Sequence, residues 1–307
     1  MPNTLDLIID CDPGIDDALA LFLAAGSTDA LNLLSVTCVA GNRPVETTAL
    51  NACRLLDIAG CPSVPVYAGA ARPLSGVEAK CNLVHGEDGL GSVMLPLSRQ
   101  PEAEHAADHL VRMLLERPAG SLTLVAIGPL TNLALAEQNH PGLLRRARSV
   151  LVMGGAVTCA GNITPQAEFN FYADPDAAQL VLMAGAQLTL FGLDVTSKAV
   201  MADEWITSLA SLPGRSAQAA CEMLRAYAAL DPLLHDACPV AYLLQPDLFS
   251  GAPWMLSVDC AEGPDAGHVR GKPLGGVATD NASVQVIFDV DCDGLLAIVR
   301  ERLARLP

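Results

Sequence analysis

Short apolar runs alternate with longer segments of helical period along the first two-thirds of the chain. LDLIID (5–10), LNLLSVTCVA (31–40), SLTLVAI (121–127), RSVLVM (148–153) and QLTLFG (187–192) predict strands buried on both faces. A shorter strand is predicted at 64–68. Between these runs, 16–26, 44–59, 102–116, 130–138 and 174–184 carry helical patterns. Strands alternating with helices imply right-handed crossovers and a mostly parallel sheet with helices on both faces. Beyond residue 200 the pattern changes. Residues 203–249 read as helical, 255–260 and 283–290 as late strands open to antiparallel pairing, and 292–304 as a final helix. No internal repeat and no Pro/Gly/Ser linker divides the chain, so 1–307 is predicted to be a single α/β domain.

The polar residues that interrupt this pattern fall at the carboxyl ends of predicted strands. Asp10 and Asp12 end the first, Gly41-Asn42 the second, and Gly128 follows 121–127. Met153-Gly154-Gly155 and Asp194 follow the next two. Ligands of open parallel sheets bind outside this edge.

Composition narrows the ligand. The formal net charge is −16, from 18 basic and 34 acidic side chains, which argues against binding a nucleic-acid backbone. A cation or a neutral polar molecule is compatible. MPNTLDLIID has neither the basic nor the apolar region of a signal peptide, and no apolar run approaches the ~20 residues that span a bilayer. A cytoplasmic protein without membrane contact is expected. Ten cysteines include no C-x-x-C pair. Cys38, Cys53, Cys221 and Cys260 sit in apolar segments, and reduced buried thiols are the expectation, ahead of disulfides or a zinc site. His105 and His109 have a zinc-like spacing, but Ala106 stands where a metalloprotease needs Glu, and both are expected to be solvated.

DCDPGIDDA (10–18) puts Asp10, Asp12, Asp16 and Asp17 within eight residues. Two carboxylates ~4 Å apart repel by roughly 4 kcal/mol at an effective dielectric of about 20. Helix capping explains one or two of the four. An EF-hand fails, because Gly14 is fifth and Leu21 twelfth counted from Asp10. A phosphoryl-transfer D-x-D, as in haloacid-dehalogenase-like phosphatases, wants a hydroxyl residue soon afterwards, and Pro13-Gly14 follows instead. A hard-cation site remains, with Asp12 and Asp17 converging on one ion and Asp16 free to bind hydroxyls. GNITPQAEFN (161–170) offers Asn162, Glu168 and Asn170, suited to sugar hydroxyls. LHDACPVAY (234–242) offers His235 and Asp236 at a helix start.

Together with VAGN (39–42), HGEDGLG (85–91), TLVAIGPLTNLA (123–134), VLVMGGA (150–156), YADPDAA (172–178) and GLDVT (192–196), these segments resemble the nucleoside hydrolases, in the branch with a His-Asp motif. The likeness runs from the first strand to about residue 250. It implies an α/β fold, a homodimer or homotetramer, and Ca²⁺-dependent cleavage of ribonucleosides to ribose and base. By position, the Ca²⁺ ligands would be Asp12, Asp17, Asp236 and the backbone carbonyl of Ile127. The ion would hold the ribose 2′ and 3′ hydroxyls and the attacking water. Asp16, Asn162, Glu168 and Asn170 would bind ribose, Met153 would pack in its pocket, and Asn42 and Asp10 would support the Asp12 side. Asp12 would take the proton of the water and His235 would protonate the leaving base. His85 would reach the ligand from a Gly-rich lid. A non-catalytic ribose- or nucleoside-binding protein of the same fold is the alternative. Two departures leave base preference open: RAYAALDPLLHD (225–236) is short, with Tyr227 its one aromatic residue, and 261–282 is unusually Gly-rich.

Overall fold

A computed structural model describes residues 4–82, 84–275 and 283–307. The strands are β1 (Leu5–Cys11), β2 (Leu31–Cys38), β3 (Val66–Ala68), β4 (Leu122–Ala126), β5 (Ser149–Met153), β6 (Leu188–Phe191), β7 (Phe249–Val258), β8 (Val269–Pro273) and β9 (Ser283–Val290). The helices are α1 (Ile15–Ala25), α2 (Val45–Ile58), α3 (Ala106–Glu116), α4 (Thr131–Asn139), α5 (Phe169–Ala173) and α6 (Pro175–Met183). They continue with α7 (Leu193–Thr196), α8 (Asp203–Leu209), α9 (Arg215–Tyr227), α10 (Ala237–Leu244) and α11 (Cys292–Leu303).

Leu7, Ile8 and Ile9 in β1 have no exposed surface, because alternate side chains enter different layers. Leu7 and Ile9 join the layer that holds Leu19 and Phe22 of α1, Leu224 of α9 and Leu295 of α11. Ile8 joins Leu110 of α3, Leu133 of α4 and Val181 of α6 on the other face. The strands form one sheet in the order β3-β2-β1-β4-β5-β6-β9-β7-β8. All pairs through β6–β9 are parallel, whereas β7 is antiparallel to both β8 and β9. The last strand in sequence therefore lies between β6 and β7. The terminal residues return to the first layer, where Ser216 N donates to Pro307 O at 3.1 Å.

Several expectations are corrected. The helix predicted from 102 starts at Ala106: Glu102 bridges to Tyr67 in extended form, and His105 caps the helix by accepting from Ala107 N. Residues 203–249 break into α8, α9 and α10, and the non-helical stretch before α10 carries His235. β7 begins at Phe249, β8 was not read, and α5 lies in a segment taken for loop. His109 is not solvated. It is buried, stacks on Tyr67 and shares a 2.8 Å hydrogen bond with Ser35 Oγ. All ten cysteines are free thiols, but Cys260 is exposed. Among the described residues no helix is long and apolar enough to cross a membrane. Residues 276–282 of the Gly-rich segment lie outside the described residues.

Candidate active site

Asp12 emerges from β1 into a space that two neighbouring loops leave open. A Cβ at Gly41 or Gly128 would collide with its carboxylate oxygens, so glycine at both positions lets the β2 and β4 loops close around it. Asn42 N donates to Asp12 Oδ2 at 2.6 Å and Asn42 Nδ2 to Asp12 O at 3.2 Å. Asp17, in the first turn of α1, accepts from Asp12 N at 3.2 Å and from Gly14 N at 2.8 Å. This is the helix-capping role, and it accounts for one acid of the cluster. Asp10 lies deeper, accepting from Thr37 Oγ1 at 2.6 Å and Asn132 Nδ2 at 2.8 Å, with its other oxygen unpartnered.

Oxygens of Asp16, Asp17 and Asp236 come within 4.8 Å of one another, all buried. Asp12 adjoins them, turned toward Asn42. Burial pushes Asp10 and Asp17 up to about 7 and Asp16 up to about 6, and Asp16 adds its charge at Asp17. Burial, then a neighbouring carboxylate, raises Asp12 and Asp236 well above the ordinary range. No Lys or Arg pairs with these five acids among the described residues. A buried carboxylate needs a partner or a metal. An all-oxygen set of this kind fits a hard divalent cation.

A second group of side chains closes the site. Glu168 caps α5, accepting from Gly155 N and Asn170 N at 2.8 Å and from Phe171 N at 3.2 Å. Asn170 Nδ2 donates to Ile127 O at 2.9 Å and Met153 O at 3.2 Å. Asn162 accepts from Phe169 N. Asp194 fastens the intervening loop by accepting from Val157 N and Thr158 N at 2.7 Å.

The two histidines differ. His235 is held by Thr196 Oγ1 at 2.8 Å from Nδ1 and Asp231 Oδ2 at 3.3 Å from Nε2. Burial disfavours its charged form, but Asp231 and Asp16 outweigh that and raise its pKa. Burial lowers His85 to about 4, so its ring is neutral at pH 7. Its Nδ1 accepts from Ile15 N at 3.2 Å, which leaves the proton on Nε2, 3.7 Å from Asp16 Oδ1. The ring stacks on Tyr227, with centroids 5.1 Å apart.

Most of these residues line one cleft. Asp12, Asp16, Asn42, His85, Ile127 and Met153 reach it from the first five strands and their loops. Asn162, Glu168, Asn170, His235 and Asp236 reach it from the second half. Asp17 sits behind this lining. Thr37, Asn132, Thr196 and Asp231 were missed. A lone hydroxyl or amide inside a strand or helix has no spacing signal, although an acid four residues before the candidate His235 was a readable hint.

The site thus joins a buried acidic cluster that could hold a metal ion to amides suited to hydroxyls, at the strand ends of an α/β sheet. The inosine-uridine preferring nucleoside hydrolase family matches residues 7–297, and the chain belongs to that family. It is 39% identical to the pyrimidine-specific ribonucleoside hydrolase RihA of Photobacterium profundum, over 97% of this chain and 98% of that one. Among solved structures, the plant nucleoside hydrolase PpNRh1 superposes with a TM-score of 0.91 at 30% identity, over 98% and 99% of the two chains. The purine-preferring ribonucleoside hydrolase of Gardnerella vaginalis gives 0.89 at 30% identity, over 97% and 98%. The protein is thus an enzyme of the ribonucleoside hydrolase class, which splits ribonucleosides into ribose and free base.

Proposed function

We propose that this enzyme is a Ca²⁺-dependent ribonucleoside hydrolase, a single domain over 1–307 that acts in the cytoplasm as a homodimer or homotetramer. The observation that carries the reading is the convergence of unpaired buried carboxylates and His235 on one cleft. Asp12, Asp17, Asp236 and the Ile127 carbonyl would hold the ion. Bound there, Ca²⁺ supplies positive charge that acidifies a water and orients ribose hydroxyls.

Asp16, Asn162, Glu168 and Asn170 bind the ribose, and Met153 packs against it. Asn42 fixes the Asp12 carboxylate, and His85 closes over the ligand. As the C1′–N bond lengthens, positive charge develops on the sugar, and the carboxylates around the cleft stabilise it. Asp12 accepts the proton of the attacking water. His235 donates a proton to the departing base, a role favoured by its raised pKa.

The test is ribose release from uridine and inosine by metal-free protein with and without added Ca²⁺, read by a reducing-sugar assay. Release that needs Ca²⁺ is expected. Full activity in a chelator would overturn the metal reading, and no release under any condition would overturn the substrate reading.

A further inference from the structure

The relatives' names point to both pyrimidines and purines, so base choice has to come from this chain's own side chains. Asp231 lines the cleft beside Tyr227 and His235. Its backbone N–H bonds Tyr227 O at 2.9 Å, just past the end of α9. The next residues are pinned by Met201 N to Pro232 O at 2.8 Å and Leu234 N to Ala199 O at 2.9 Å. Asp231 Oδ2 thereby stands 3.3 Å from His235 Nε2, with its side chain about a quarter exposed. Among the described residues, His235 is the one side chain bonded to it.

A carboxylate only accepts, so the nitrogen facing it carries the proton. That proton is committed to Oδ2, so the group left to meet a ligand at this end of the cleft is the second carboxylate oxygen, Asp231 Oδ1, an acceptor. We propose that Asp231, held by His235, reads a nucleobase edge bearing an N–H, as uracil presents at N3, which makes Asp231 a specificity-determining residue. The inference rests on the cleft being a ribonucleoside site. Uracil N3–H faces the free carboxylate oxygen. Cytosine turns a lone pair at N3 toward Asp231, acceptor against acceptor. A site that pairs one edge and leaves polar groups unpaired against another discriminates by binding alone. Solvent access to Asp231 moderates the ratio to about 10-fold or somewhat more.

The experiment measures kcat/KM of the Ca²⁺-loaded enzyme on uridine, cytidine and 3-methyluridine, for the parent and for Asp231→Asn. The parent is expected to favour uridine over both others by about 10-fold or more. An amide can turn its N–H₂ toward cytosine N3, so D231N should narrow or invert the uridine-to-cytidine ratio. A change that merely loosened the fold would slow both pyrimidines alike. An unchanged ratio in an active variant overturns the proposal. So does a parent that cleaves 3-methyluridine as fast as uridine, and this arm stands even if the variant fails to fold. A parent that cleaves none of the three overturns the ribonucleoside reading itself, an outcome distinct from cleavage with the wrong ratio.

Discussion

The two ends of the cleft are built in different ways. The acidic end rests on the carboxyl ends of β1, β4 and β5 and on the first turn of α1, where Asp12, Asp16, Asp17 and Asp10 are buried and tied to backbone N–H groups or neighbouring side chains. The far end is made of turns: residues 228–234 after α9, and the segment carrying Asn82 and His85. A strand end fixes a side chain through the whole sheet, whereas a turn is fixed by a few local bonds. On the proposed reading, the reaction common to all ribonucleosides falls to the rigid end, and the choice of base to the end that a few substitutions can rebuild.

The steepest expected effect belongs to the sugar. If the rigid end reads the ribose hydroxyls, 2′-deoxyuridine should fall below uridine by ~10⁴ or more in kcat/KM, because buried polar groups are left unpaired. Comparable values would break the distinction between the ends. Next comes Asp17→Ala, which removes one acid and leaves the others crowded. Loss of several kcal/mol of charge stabilisation corresponds to a drop of about 10³ in turnover, with Ca²⁺ binding lost and the fold retained in circular dichroism. Tight binding of one Ca²⁺ by this variant would show the metal assignment to be wrong.

His235 stands at the junction of the two ends. His235→Ala should slow inosine cleavage by about 10² or more, yet spare a nitrophenyl riboside, whose leaving group departs as a stable anion. Equal losses on both substrates, with bound Ca²⁺ reduced, would place His235 with its neighbour Asp236 in the structural support of the ion.

The smallest effect is a control remote from both ends. His109 is buried against Ser35, Tyr67 and Arg112, and burial, then the Arg112 charge, lowers it to about 4. Its folded pKa lies below the unfolded value of about 6.5, so the unfolded chain binds the extra proton. The stability it contributes is complete above pH 6.5 and is lost as pH falls toward 4. Between pH 7 and 5 the parent's Tm should drop further than that of His109→Asn by several degrees, the equivalent of about 2 kcal/mol. Equal drops would refute the neutral buried imidazole.

The same contrast explains what was legible in the sequence. Leu7-Ile8-Ile9 and Leu124-Val125-Ala126 read as doubly covered strands because nothing polar breaks them, and the acids that follow stand out by position. The Asp12-Asp16-Asp17 spacing and the distant His235-Asp236 pair were therefore readable. β8 was not, since VRGKP alternates neither in polarity nor in size and gains its place by pairing with β7. β7 starts earlier than the predicted 255–260, through Gly251 and Pro253, with a register shift against β9 between Ser250 and Gly251. His109 misled because helical spacing does not tell which face meets the sheet. Asp231 and Thr196 matter only through where the chain brings them, 39 residues apart in sequence for the Thr196–His235 contact.

The position of β9 bears on how the protein is made. A nascent chain completes β6 at residue 191 and β7 at 258, yet the strand that joins them spans 283–290. At ordinary elongation rates of ~5–20 residues per second, the β6 edge waits about 5–20 s for its neighbour, with backbone groups open to any other strand. Loss of residues 283–290 would remove an interior strand of the sheet and leave β6 and β7 each with a free edge.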